Sequence, residues 1–263
     1  MKYKYNNYNG FTLVELAMVL FILALLLGTL LTPLATSIEQ QDRETTTKLL
    51  EDIRDSLLGY AIVNGHFPCP DCSDTVTGSC ATVNTVDSSW INNGEEDGVD
   101  NPVTTATNDR SSANFVSCAT EVGNLPWVTL DVPENDAWGT RFIYRVNTVF
   151  ADNTDGTASC TNPAANVSFC LDSANDATLD VQDVSGSSVA ADVPAIVVSV
   201  GNNSDELFAN FSSLEQQNQD GTTNTIFISD DYQQQSGAEF DDLLIWITPP
   251  TLMFHMVKAE KLP

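Results

Sequence analysis

Glu15 is an acid placed among hydrocarbon side chains. It sits in the segment FTLVELAMVL, and from Leu16 to Ile38 no charged residue follows it. A carboxylate in that setting costs several kcal/mol unless it is paired, so the chemistry it points to is ion pairing. A second group of acids, Asp97 and Asp100, lies in Asn92-Asn93-Gly94-Glu95-Glu96-Asp97-Gly98-Val99-Asp100-Asn101, where oxygen ligands gather around glycines. Such a loop either holds a hard cation such as calcium or is an exposed acidic turn, and its spacing does not follow the EF-hand pattern. The six cysteines, Cys69, Cys72, Cys80, Cys118, Cys160 and Cys170, are even in number and allow 15 connectivities. Their expected use is as disulfides, and Cys160 with Cys170 is the easiest local pair. The C-x-x-C of Cys69 and Cys72 near His66 also admits a thiol redox site or half of a zinc site. Neither comes with the second C-x-x-C, or the strand and helix start, that those sites need.

Groups for other chemistry are scarce. The chain holds two histidines, His66 and His255, so the commonest general base and metal ligand is nearly absent. No nucleophile and base can be paired, and no Gly-rich phosphate loop with a following lysine is found, so an enzyme is not expected. Ten Lys plus Arg against 36 Asp plus Glu give a net charge of -26 over 263 residues, which excludes nucleic acid as a natural partner. Asp outnumbers Glu two to one and favours turns, so loops are expected to dominate the middle of the chain.

Glu15 must be positioned by a helix. Lys2 and Lys4 precede the apolar run and Glu39, Asp42 and Glu44 follow it, a polarity that keeps the N-terminus cytoplasmic and carries the rest of the chain across the membrane. Twenty-three uncharged residues from Leu16 to Ile38 exceed a secretory signal core and match the ~20 needed to span hydrocarbon. Pro33 either bends this helix or ends the span. Beyond Ser37 the pattern becomes amphipathic, with Leu49, Leu50, Ile53, Leu57, Leu58, Ala61 and Ile62 at three- and four-residue spacings among charges. A helix from Phe11 to about Val63 would be ~80 Å long, closed by Gly65, Pro68 and Pro70.

The segment Gly10-Phe11-Thr12-Leu13-Val14-Glu15-Leu16 resembles the type IV prepilin family. The resemblance implies cleavage after Gly10, N-methylation of Phe11 and an assembly role for Glu15. Cleavage would free an α-amino group at Phe11 able to neutralise Glu15 of a neighbouring subunit. A buried ion pair penalises every axial slip between helices, which hydrocarbon surfaces alone do not. Two further phrases look like pseudopilins: Asn135-Asp136-Ala137-Trp138-Gly139 before Tyr144, and Ser199-Val200-Gly201-Asn202-Asn203. In that family an aspartate, tryptophan and glycine open a hairpin, and a serine and glycine turn leads into a calcium loop ending in acid. Asp205, Asp230, Asp231, Asp241 and Asp242 are the acids nearby, and of these Asp205, Asp241 and Asp242 join Asp97 and Asp100 as candidate calcium ligands. Trp127 and Trp138 are expected in the core rather than in a ligand cage.

Strand-like runs at residues 141–146, 195–200, 225–229 and 243–247 predict antiparallel pairing against the amphipathic helix, since no crossover helices for a parallel sheet are evident. The expected fold is therefore α+β and pilin-like. A long N-terminal helix, half apolar and half amphipathic, packs on an antiparallel sheet beside a large disulfide-stapled loop region. Residues 1–10 form the leader, 11–37 the transmembrane and filament-core helix, and 38–263 the globular head, including the amphipathic half of the helix.

The resemblance implies a structural subunit, a minor pilin or pseudopilin of a type IV pilus or type II secretion pseudopilus. It would sit in a bacterial inner membrane as a single-pass protein with a periplasmic head, then enter the pilus. Its partners would be other pilin or pseudopilin subunits through the N-terminal helix, prepilin peptidase, the inner-membrane assembly platform and membrane lipid, with no nucleic acid. No cofactor is required, and calcium is the one candidate ligand. The alternative is a membrane-anchored adhesion or calcium- and ligand-binding module that never polymerises.

Overall fold

The computed structural model describes residues 10, 12–73, 91–100, 106–107, 115–151, 178–203, 213–219, 225–235 and 238–262. The chain divides into two units, 1–44 and 45–263. Helix α1, Leu13–Asn64, runs through both. Thr12 sets its start: Thr12 Oγ1 accepts the Glu15 N–H at 3.3 Å, the threonine half of a capping box with Glu15 at its third position. Gly65 sets its end, with φ of 81° and its N–H on Ala61 O at 2.8 Å, a left-handed cap that suits glycine.

In the first unit the described large side chains from Leu13 to Leu25 are exposed all round the helix, Leu13 at 84%, Phe21 at 67% and Leu25 at 56%. The side chains at 26–35 lie outside the described residues. Among the described residues no helix is long and apolar enough to cross a membrane.

In the second unit the strands and helices follow in this order: β1 Gly98–Asp100, β2 Ala106–Thr107, β3 Phe115–Cys118, β4 Val122–Asn124, α2 Trp127–Leu130, β5 Ile143–Val146 and α3 Thr148–Ala151. Then come β6 Leu179–Gln182, β7 Ser188–Val193, β8 Ala195–Ser199, α4 Ser213–Gln219, β9 Ile226–Ile228, β10 Gln233–Gln235, β11 Ala238–Phe240, β12 Leu243–Ile247 and α5 Pro249–Lys258. The main sheet has the order β12-β8-β5-β4 and is antiparallel throughout. The fold class is α+β, as the strand spacing predicts.

Strand β8 explains why this sheet has two covered faces. Its side chains alternate: Ala195 and Val197 join one core, Ile196 and Val198 the other. The first core contains Leu50, Ile53, Leu57, Leu58 and Ala61 of α1, Tyr144 and Val146 of β5, and Leu252, Met253 and Met256 of α5. Burying a side chain such as Ile53 or Leu57 is worth ~1.5 to 3 kcal/mol, and their helical spacing puts them on one face. The second core joins the far side of the sheet to Leu179 and Val181 of β6, Val193 of β7 and Phe227 of β9. A 3-stranded sheet, β7-β6-β9, carries those residues.

Two expectations need correction here. The 225–229 run forms β9, which leaves the main sheet and pairs parallel with β6. A parallel neighbour needs a long connection, and the stretch from β6 to β9 supplies one that includes α4, a helix of mostly uncharged polar residues around Glu215 without a legible apolar stripe. Trp127 and Trp138 are half-buried, not core residues. The Trp127 ring fills the space beside Gly94, where a Cβ would collide with it, and Arg141 lies 5.1 Å from its centroid.

Candidate functional site

At the N-terminal site, Gly10 is exposed and Glu15 lies exposed in the first turn of α1, while Phe11 is outside the described residues. The T-x-x-E spacing at the helix start is visible in the sequence; the bond seen there runs from the Glu15 backbone N–H to Thr12 Oγ1, so it makes Thr12 the cap and leaves the Glu15 carboxylate to other partners.

The structure joins the phrases at residues 135–139 and 199–203 into one connected site in the second unit. Asp136 is buried, and its Oδ1 accepts the N–H groups of Trp138 at 3.0 Å and Thr140 at 2.8 Å, closing the hairpin turn. Its Oδ2 accepts the Ser199 hydroxyl at 2.6 Å. Thr46 of α1 accepts the Ala137 N–H at 3.2 Å, so the helix is pinned to the same turn. Beyond Ser199 the chain turns through Gly201, at φ of 68°, where a Cβ would lie 2.5 Å from Asp241 Cγ. Only glycine permits both that conformation and that approach. The turn then offers the Asn202 N–H to Asp241 Oδ2 at 2.8 Å.

Asp241 and Asp242, between β11 and β12, meet Glu215 of α4. All three are buried, and one oxygen from each lies within 4.8 Å of the others. The Asp241 N–H donates to Glu215 Oε1 at 3.3 Å, and Asn218 Nδ2 donates to Asp242 Oδ2 at 2.8 Å and to Ile228 O at 2.9 Å. Three buried carboxylates on neighbouring segments repel one another and together offer the hard oxygen ligands that suit calcium. Glu215, Asp241 and Asp242 are the residues that could hold such an ion. Sequence reasoning reached Asp241 and Asp242 but missed Glu215, because only the parallel β6–β9 connection brings α4 to them. Asp205 lies outside the described residues.

Asp97 and Asp100 are not brought into this cluster. Asp97 is fully buried, and its Oδ2 accepts the Cys72 N–H at 2.7 Å. Asp100 ends β1, with its side chain outside the described residues. Burial raises the Asp97 pKa to about 7, helped by the charges of Asp71, Glu95 and Glu96 and opposed by the Cys72 N–H. Burial likewise raises Asp71 to about 6, against hydrogen bonds from Asn124 and from backbone N–H groups and the charge of Arg141.

Cys69 and Cys118 form a disulfide across 49 residues, a long-range bridge where the spacing favours local staples. The Cys69 sulfur is thus committed to Cys118, which rules out a dithiol redox pair or a zinc half-site at C-x-x-C. Cys72 is also disulfide-bonded, and Cys80, Cys160 and Cys170 lie outside the described residues.

Residues 5–31 match the model of the prokaryotic N-terminal methylation motif. The chain carries the type IV prepilin-like signal. That motif contains Gly10, Phe11 and Glu15, and it supports a chain processed as a pilin-like prepilin. No curated protein and no solved structure matches the chain.

Proposed function

We propose that this chain is a structural, non-enzymatic subunit, a minor pilin or pseudopilin of a type IV pilus or type II secretion pseudopilus. Prepilin peptidase cuts it after Gly10, and the new N-terminus at Phe11 is methylated. The single observation that carries the reading is the methylation motif at residues 5–31, set on a helix whose described apolar side chains from Leu13 to Leu25 are exposed. A surface apolar all round needs hydrocarbon or other helices around it. Membrane lipid provides the first environment, with the N-terminus cytoplasmic and the head periplasmic, and the helices of other pilin subunits provide the second. Moving between them changes the apolar neighbours without exposing the helix to water, so the assembly platform works against a small free-energy difference.

The amphipathic half of α1 and its sheet form the head, in the manner of a pilin. Calcium held by Glu215, Asp241 and Asp242 would brace the joint between α4 and β12 without taking part in any reaction. The large loop-rich head suits a minor subunit, where few copies must pack side by side. Mass spectrometry of the mature chain tests the reading: a chain starting at N-methylated Phe11 supports it. An intact Met1 leader, or a cut near Ala35, overturns it.

A further inference from the structure

A fully enclosed acid, Asp97, works beside the disulfide, away from the carboxylate cluster. Residues 67–73, which follow the cap of α1, are buried throughout. Side chains from the segment before β1 hold them. Glu96 Oε2 accepts the Cys69 N–H at 3.0 Å while Glu96 Oε1 accepts the Tyr60 hydroxyl of α1 at 2.7 Å. Asp97 Oδ2 accepts the Cys72 N–H at 2.7 Å, and the Asp97 N–H donates to Pro70 O at 3.3 Å. Between them, Asp71 exchanges backbone hydrogen bonds with Asn124 of β4 at 3.0 and 2.9 Å, and its Oδ1 accepts the Asn93 N–H. Backbone crowding at Gly123, where a Cβ would meet Asp71 O, leaves no slack on that side.

Asp97 is the odd member of this clasp. It is 0% exposed, and its Oδ1 has no hydrogen-bond partner among the described residues. An ionised carboxylate there would have one N–H donor at Oδ2 and would face Asp71 from the clasped segment and Glu95 and Glu96 from its own. Arg141 acts on Asp71 and is shared with Glu134, which it meets at 2.7 Å. The carboxyl is therefore accommodated in its neutral form, and ionisation adds a buried like charge next to Asp71.

We propose that Asp97 is a proton-operated latch on residues 67–73, closed while its carboxyl is neutral and opened locally when it ionises, with the Cys69–Cys118 bridge keeping the opened segment tethered. The inference does not depend on the filament reading. The raised pKa values of about 7 for Asp97 and about 6 for Asp71 place the opening near neutrality. Both groups bind protons more tightly folded than unfolded. Their contribution to stability is complete below the ordinary carboxylate range and is lost as pH rises through those values.

Hydrogen exchange on the oxidised full-length chain in detergent micelles, corrected for the intrinsic pH dependence of exchange, tests the latch. Raising the pH from about 5.5 to about 8.5 is expected to cut the protection of the 67–73 backbone by at least about tenfold, with β8 unchanged. Asp97→Asn, neutral at every pH and still able to accept from Cys72, is expected to keep that protection at both. Equal protection of the parent at the two pH values, or the same loss in Asp97→Asn, overturns the proposal. So does an Asp97 carboxyl carbon resonance in the parent that titrates near the ordinary aspartate value, a result that does not depend on how the variant folds.

Discussion

Side-chain charge is unevenly tolerated inside this molecule. At Asp136 every carboxylate oxygen has a donor, whereas Glu215, Asp241 and Asp242 crowd three acids into a space of 4.8 Å. Relief of that repulsion by a cation predicts a specific pattern at Glu215. Glu215→Gln keeps an oxygen to accept the Asp241 N–H but removes one charge. In a chelator its melting temperature should exceed the parent's by ~2 to 4 °C, equivalent to ~1 kcal/mol in a domain of this size. Millimolar calcium should raise the parent's melting temperature by mass action and the variant's much less. Thermal melts followed by circular dichroism, with and without calcium, check both halves. A parent indifferent to calcium would leave the three acids as an unbraced structural cluster.

Elements show where the sequence was readable and where it was not. The C-terminal half of α1 was legible because Leu50, Ile53, Leu57 and Ala61 repeat at helical spacing, and β8 was legible because burial on both faces forces a continuous apolar run. The Asp136 and Ser199 phrases were recognisable separately, but their hydrogen bond joins residues 63 apart and has no local signature. Helix α5, opened by Pro249, hides its buried Leu252, Met253 and Met256 in a short C-terminal run that carried no expectation. The Cys69–Cys118 pairing was unreadable because six cysteines leave spacing ambiguous. Its length makes a prediction: closing 49 residues removes denatured-state entropy worth about 4 kcal/mol by the chain-entropy relation. The double variant Cys69→Ala, Cys118→Ala should lose up to that amount in urea unfolding. A loss under about 1 kcal/mol would mean that the clasp of Glu96 and Asp97, together with the remaining Cys72 disulfide, already holds the segment without the Cys69–Cys118 tie.

For the molecule as a whole, the question is whether the N-terminal acid serves its own helix or a neighbouring subunit. The core of the second unit draws on α1 only from Thr46 and Leu50 onward, so substitutions at Glu15 should leave its melting temperature unchanged. The bond seen at the helix start, from the Glu15 backbone N–H to Thr12 Oγ1, survives any substitution there; a side-chain cap would need the residue at 15 to reach back to the Thr12 N–H, which glutamine does as well as glutamate and alanine does not. The assembly role needs charge, because only an ionised carboxylate answers the α-amino group of Phe11 across the helix bundle. Glu15→Ala and Glu15→Gln therefore separate the two. Loss of one partner from a buried ion pair costs ~3 to 5 kcal/mol, enough to reduce incorporation by about a hundredfold or more. If the acid sets register between subunits, both variants should insert in the membrane, be cleaved after Gly10, and be missing from sheared filaments assayed by immunoblot. Normal incorporation of Glu15→Gln alongside failure of Glu15→Ala would reduce Glu15 to a helix cap. The stagger between neighbouring helices would then have to come from side-chain packing along the apolar run, with no ion pair to fix it.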